Sequence, residues 1–208
     1  MQIEVDGFAN GEQIPERFAF GALTDDGPAP AGGNTSPAIR WSGAPEGTQS
    51  FVLVVYDPDV PQDTSKVGVE GETIGEDEPR RDFAHWLVVD IPPDVSEVPE
   101  GAGSSEITQR GKPVGETSFG GVSGANDYTG FMAGDPDMAG TYGHYDGPFP
   151  PPNDEAIHHY HFAVYALDTA NTGLSGDFGL DDVRGAIDGH VLDQAEQVGT
   201  YTLNADRR

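Results

Sequence analysis

The chain contains no cysteine in its 208 residues. That excludes structural disulfides, thiolate zinc centres and a cysteine nucleophile together. Lysine is almost absent, with only Lys66 and Lys112, and ten basic residues stand against 36 acidic ones for a formal charge of -26. Such a balance argues against unassisted nucleic-acid binding. Long hydrophobic runs are missing too: nowhere do the roughly 20 apolar residues needed for a membrane-spanning helix occur. The opening MQIEVDGFANGEQIP has neither the basic flank nor the apolar stretch of an export signal. The expectation is a soluble cytoplasmic protein without stable membrane association, since anionic bilayers would repel its charge.

What is present points to a folded chain rather than a disordered acidic one. The acidic residues are scattered, and the runs FVLVVY (51–56) and FAVYAL (162–167) can form a core. A chain of this length buries a sizeable core without covalent help, and the reading is one domain over 1–208. Like charge at this density opposes compaction in dilute buffer. At about 1 M salt the Debye length falls to roughly 3 Å, so distant surface repulsion is screened. The composition therefore reads as halophilic.

The 29 glycines and 17 prolines punctuate the sequence too often for long helices. They favour a mainly β chain, with strands joined by turns and loops. Strands are expected at Ala38–Trp41, Phe51–Tyr56, Phe83–Asp90 and Ile157–Leu167, and again near Tyr201–Leu203. The continuous apolar runs at 51–56 and 87–89 suit central strands covered on both faces. A helix, or two short ones, is expected over Asp181–Gln197, where Val183, Ile187, Val191 and Ala195 repeat every four residues and Gly199 offers a stop. The stretches 62–82 and 101–145 read as loops bordering the candidate site.

Three segments could carry chemistry. In YDPDVP, Asp57 and Asp59 lie two apart and share a face of an extended chain, with Pro58 and Pro61 restricting the backbone. His85 opens an apolar strand next to Trp86. GPFPPP precedes IHHYHF, where His158, Tyr160 and Phe162 face one way and His159 and His161 the other. Carboxylates, imidazoles, a phenol and glycine amides of this kind suit a phosphate or other small oxyanion.

The ordered set W-SGAPEGT-SF-L-VYDPDVP, HWLVVDIP, GP-PP, HHYHFAVYALD and GHVLDQAEQVGTYT resembles the bacterial and archaeal branch of the phosphatidylethanolamine-binding proteins, also called Raf-kinase-inhibitor-like proteins. The resemblance spans roughly residues 5–203. It implies an antiparallel two-sheet sandwich with a few short helices, one near the C-terminus, and a pocket for phosphate, phosphoryl headgroups or small carboxylates. The ligand-binding residues it implies are Asp57, Asp59, His85, Gly147, Pro148, His158 and Tyr160. A homodimer and a regulated protein partner, of kinase- or protease-inhibitor type, are implied as well. His159 stands where the family often has Arg, and YGHYD (142–146) places an extra His beside the pocket turn.

The leading reading is a binding module for a small phosphate-bearing anion, which needs no cofactor and no catalytic turnover. No Ser sits in a G-x-S-x-G elbow. The first alternative is a hydrolase or phosphoryl-processing enzyme with His85 or His158 as general base. The second is a metal site on His159 and His161, completed by His144 or an acidic residue.

Overall fold

A computed structural model describes residues 1–208. The strands in chain order are β1 (Gln2–Val5), β2 (Ala22–Thr24), β3 (Gly27–Ala29), β4 (Ile39–Ser42), β5 (Ser50–Pro61), β6 (Arg80–Ile91), β7 (Glu97–Val98), β8 (Gly111–Lys112), β9 (Gly115–Glu116), β10 (Val122–Ser123), β11 (Thr141–Tyr142), β12 (His158–Leu167) and β13 (Val191–Tyr201). Two short helices, α1 (Tyr128–Phe131) and α2 (Leu180–Ile187), accompany them. The main sheet has the order β13-β12-β5-β6-β10-β9 and is antiparallel throughout; a three-stranded antiparallel sheet β1-β4-β7 faces it.

The alternation of side chains along β5 explains why both faces of the main sheet are covered. Phe51, Leu53 and Val55 point toward the small sheet, where they pack with Trp86, Phe162, Ile39 and Trp41. Val52 and Val54 point the other way, against Leu87, Val183 and Ile187, so α2 closes the second face. The continuous apolar runs at 51–56 and 87–89 follow from this double burial.

The chain departs from the helix expected over 181–197. Asp182 accepts from the amide of Gly179 at 2.9 Å and so caps α2, but the helix stops at Ile187, and Gly189 turns the chain at φ 77°. Residues 191–201 instead form β13 along β12, with Ala195 opposite Val164 and Gly199 opposite Tyr160. Four-residue spacing also keeps residues on one face of a strand, so Val191 and Ala195 could not discriminate between the two states. Gly199 is not a stop. A side chain there would lie 2.5 Å from Ile14, so glycine is what lets the N-terminal segment cross the strand.

The expected loop 101–145 is built from β8, β9, β10, β11 and α1, pieces too short to show any periodicity. The segment from 62 is irregular up to Arg80, where β6 begins, and is pinned by buried Ile74 alongside Asn153 and Asp154.

Candidate binding site

Central strands deliver the polar groups of the site. Asp57 comes from the end of β5, His85 from β6 and Tyr160 from β12, and all three line a cavity of about 350 Å³. Each is nearly buried, at 1%, 3% and 1% exposure. A bulge between Asp57 and Val60 breaks the β5-β6 register and separates the two aspartates of YDPDVP. Asp57 Oδ1 accepts from the amide of Asp59 at 2.7 Å. Asp59 itself turns to the surface, where its Oδ2 accepts from the backbone N–H of His159 and lies 2.8 Å from its Nδ1. Asp59 does not line the cavity.

His158 stands behind the cavity wall. Its Nδ1 lies 2.7 Å from Asp57 Oδ2 and its Nε2 lies 3.1 Å from Asp154 Oδ2. Burial pulls its pKa down, but the two carboxylates overcome that and hold it at about 9, so the ring is an imidazolium donating from both nitrogens. Arg80 continues the row, donating from Nη2 to Asp154 Oδ1 at 3.0 Å. Asp154 is held below the usual carboxylate range: burial opposes this, and hydrogen bonds from His158 and Arg80 prevail. The four charges Asp57, His158, Asp154 and Arg80 alternate in sign, which fixes the Asp57 carboxylate from behind.

His85 has the opposite character. Its Nδ1 lies 2.7 Å from the carbonyl oxygen of Asp146, which can only accept, so Nδ1 carries the proton. Burial lowers the His85 pKa, with Asp57 pulling the other way, and the ring is neutral with Nε2 left as an acceptor. The Asp146 side chain accepts from Asn34 and Asn126 at 2.9 Å each and from Lys112 at 2.7 Å. Burial raises its pKa, opposed first by Lys112. Tyr160 keeps its proton, since burial and then the Asp57 charge push its pKa well above the ordinary value.

Gly147 and Pro148 shape the site without lining it. The Gly147 amide donates to Asn34 Oδ1 at 2.9 Å, and its carbonyl accepts from the Tyr128 hydroxyl at 2.7 Å. A side chain at 147 would come within 1.9 Å of the Phe18 carbonyl. The Pro148 carbonyl accepts from the amides of Phe20 and Gly21. The amide donor anticipated at this turn is therefore already committed to the protein.

Of the seven expected residues, the cavity wall takes Asp57, His85 and Tyr160; His158, Gly147 and Pro148 support it from behind, and Asp59 sits at the surface. Asp154, Asp146, Asn34, Asn126, Lys112 and Arg80 are supporting residues that the sequence reading left out. Asp146 lies in YGHYDGP two residues from His144, which does not line the cavity and has a buried Nδ1 with no partner. Asp154 precedes His158 by four residues, a spacing that suggests proximity only on a helix.

No group of three His, Cys, Asp or Glu side chains is placed to hold a metal. His159 pairs with Asp59, whereas His161 faces Glu196 at 3.0 Å and stacks on Tyr56, so the two imidazoles serve different partners. The hydrolase alternative loses His158 as a base, because that ring is already protonated.

The family model described as phosphatidylethanolamine-binding protein matches residues 4–202. The UPF0098 protein YbcL of Escherichia coli is 31% identical over 202 residues, covering 97% of this chain and 84% of the relative. A UPF0098 protein of Methanothermobacter thermautotrophicus is also 31% identical, covering 97% and 98%. Among solved structures, E. coli YbcL, described as a new member of the mammalian PEBP family, superposes with a TM-score of 0.68 at 28% identity over 97% of each chain. The putative PEBP homologue CT736 of Chlamydia trachomatis gives 0.63 at 26% identity, over 96% and 95%.

Proposed function

This chain belongs to the phosphatidylethanolamine-binding protein family, and from that premise we propose that it binds a small, phosphate-bearing anion in the cavity floored by Asp57, His85 and Tyr160. The observation that carries the reading is the convergence of these three groups, from three strands, in one cavity. The Tyr160 hydroxyl is a donor for a phosphoryl oxygen. His85 Nε2 and Asp57 are acceptors. A phosphate ester near its second pKa, about 6, still carries an acidic O–H that can be given to either. Binding is then coupled to proton uptake, by the ligand or by His85, and affinity rises as pH falls. Calorimetric titration with inorganic phosphate and phosphoethanolamine tests the reading; heat of binding that vanishes in Asp57→Asn and His85→Ala is expected, and absence of binding by the wild type overturns it.

In this reading the bound state is used to regulate a protein partner, in a salt-rich cytoplasm and as a homodimer. The acid excess supplies a separate check on the setting. The melting temperature should rise steadily from low to multimolar potassium chloride as surface repulsion is screened. An unchanged melting temperature would remove the halophilic part of the proposal.

The neutral His85, with Nε2 unprotonated in the cavity, favours one second reading, that of a general base. Hydrolysis of a phosphate or carboxylate ester panel that disappears in His85→Ala would promote it over simple binding.

A further inference from the structure

Seven of the ten basic residues lie within 4.0 Å of a carboxylate: Arg17, Arg40, Lys66, Arg80, Lys112, Arg184 and Arg207. Arg81, Arg110 and Arg208 do not, and of these three Arg81 lines the cavity, at its mouth. In a chain of charge -26, a cation left without a carboxylate at a pocket entrance is placed to meet an anionic group of a ligand. Its guanidinium lies over the Phe83 ring at 5.6 Å, which holds it at the rim while leaving its N–H groups available; its one protein hydrogen bond is a long contact to the Asp82 carbonyl at 3.5 Å.

The cavity is also larger and less polar than a bare phosphate requires. At about 350 Å³ it falls in the range of pockets that enclose organic ligands. Phe83, Phe131 and Phe149 form much of its wall, and Phe131 is half exposed despite being a large apolar side chain. The Phe83 ring neighbours both groups, its centroid 5.6 Å from the Arg81 guanidinium and 5.2 Å from the His85 ring.

We propose that the cavity takes a two-group ligand: an organic phosphate whose apolar body lies against Phe83, Phe131 and Phe149 and whose second, anionic group is held at the mouth by Arg81. The proposal rests on the binding reading above and assigns the ligand's class and orientation. The floor, which holds a carboxylate and a neutral imidazole, suits the protonatable phosphate; the mouth suits a permanent anion such as a carboxylate, which guanidinium grips with two hydrogen bonds.

The test compares inorganic phosphate, phenyl phosphate and 4-carboxyphenyl phosphate, titrated into the wild type at the lowest potassium chloride concentration that keeps it folded. Affinity is expected to rise about tenfold at each step, the second increment being the size of one charge-assisted contact. Arg81→Gln should remove only the second increment and Phe131→Ala should reduce only the first. Both side chains are exposed, so the fold is not at stake, and matching circular dichroism melts verify this. If phosphate binds but the two esters bind no better, or if Arg81→Gln weakens all three ligands alike, this inference falls and the binding reading survives. If none of the three binds, both fall.

Discussion

His158 and His85 are both buried in the main sheet, in β12 and β6, yet one is a cation and the other is neutral. Their exposure is nearly the same, so burial does not decide between them. The atoms that meet the ring nitrogens do. His158 has a carboxylate at each nitrogen, and those two charges outweigh the desolvation of an imidazolium. His85 meets a neutral peptide carbonyl at Nδ1, while the nearby Asp146 carboxylate spends its charge on Lys112 and two amide side chains. One network holds a cation to fix Asp57; the other uses a carboxylate to fix a carbonyl, and through it the tautomer of His85.

The largest effect should come from cutting the charged row. Asp154→Asn leaves Arg80 and His158 facing a neutral amide and should cost about 3–5 kcal/mol in denaturant unfolding at neutral pH, as expected when one partner of a buried pair is removed.

The pH dependence of stability sets the two histidines against each other. His158 has its folded pKa raised from 6.5 to about 9, so its stabilisation is fully present below 6.5 and is lost as pH climbs through 9, on the order of 3 kcal/mol. His85 has its folded pKa lowered, so the native state loses stability as pH falls below 6.5. Denaturation midpoints should therefore peak near neutral pH. Proton NMR of the ring C–H signals should show one buried histidine titrating near 9 and another below 6.5; two with the same midpoint would dissolve the distinction.

Lys112→Met probes the second network and should cost about 1–3 kcal/mol at neutral pH, because Asp146 loses its cation. The cost should shrink in acid, where a protonated Asp146 no longer needs one. The smallest effect is on the ligand: phosphate affinity should rise a few-fold from about pH 8 to about pH 6 in calorimetry, and His85→Gln, which removes one of the two proton acceptors, should flatten that slope.

Much of the architecture was legible in residue order. FVLVVY and the run around Leu87 announced central strands because double burial demands unbroken apolar sequence. Asp57, His85 and Tyr160 were legible because each sits in a motif that stands out locally. The supporting residues were not. Asn34, Lys112 and Asn126 are single polar residues in glycine-rich stretches, 112, 34 and 20 positions from Asp146, and nothing local marks them as partners of one carboxylate. The strand β13 is not legible because a four-residue apolar repeat fits a helix and one face of a strand equally well, and pairing along the edge of β12 decides between them.

The sequence by itself determined the strand-rich class, the family and the segments that carry the site, since these depend on composition, alternation and motif order along the chain. Tertiary structure alone decided which polar atoms meet, and with them the charge of each histidine, the burial of the Gly147 amide and the position of Arg81 at the mouth. Those are properties of distance and desolvation between residues far apart in the chain, and a linear order of side chains does not contain them.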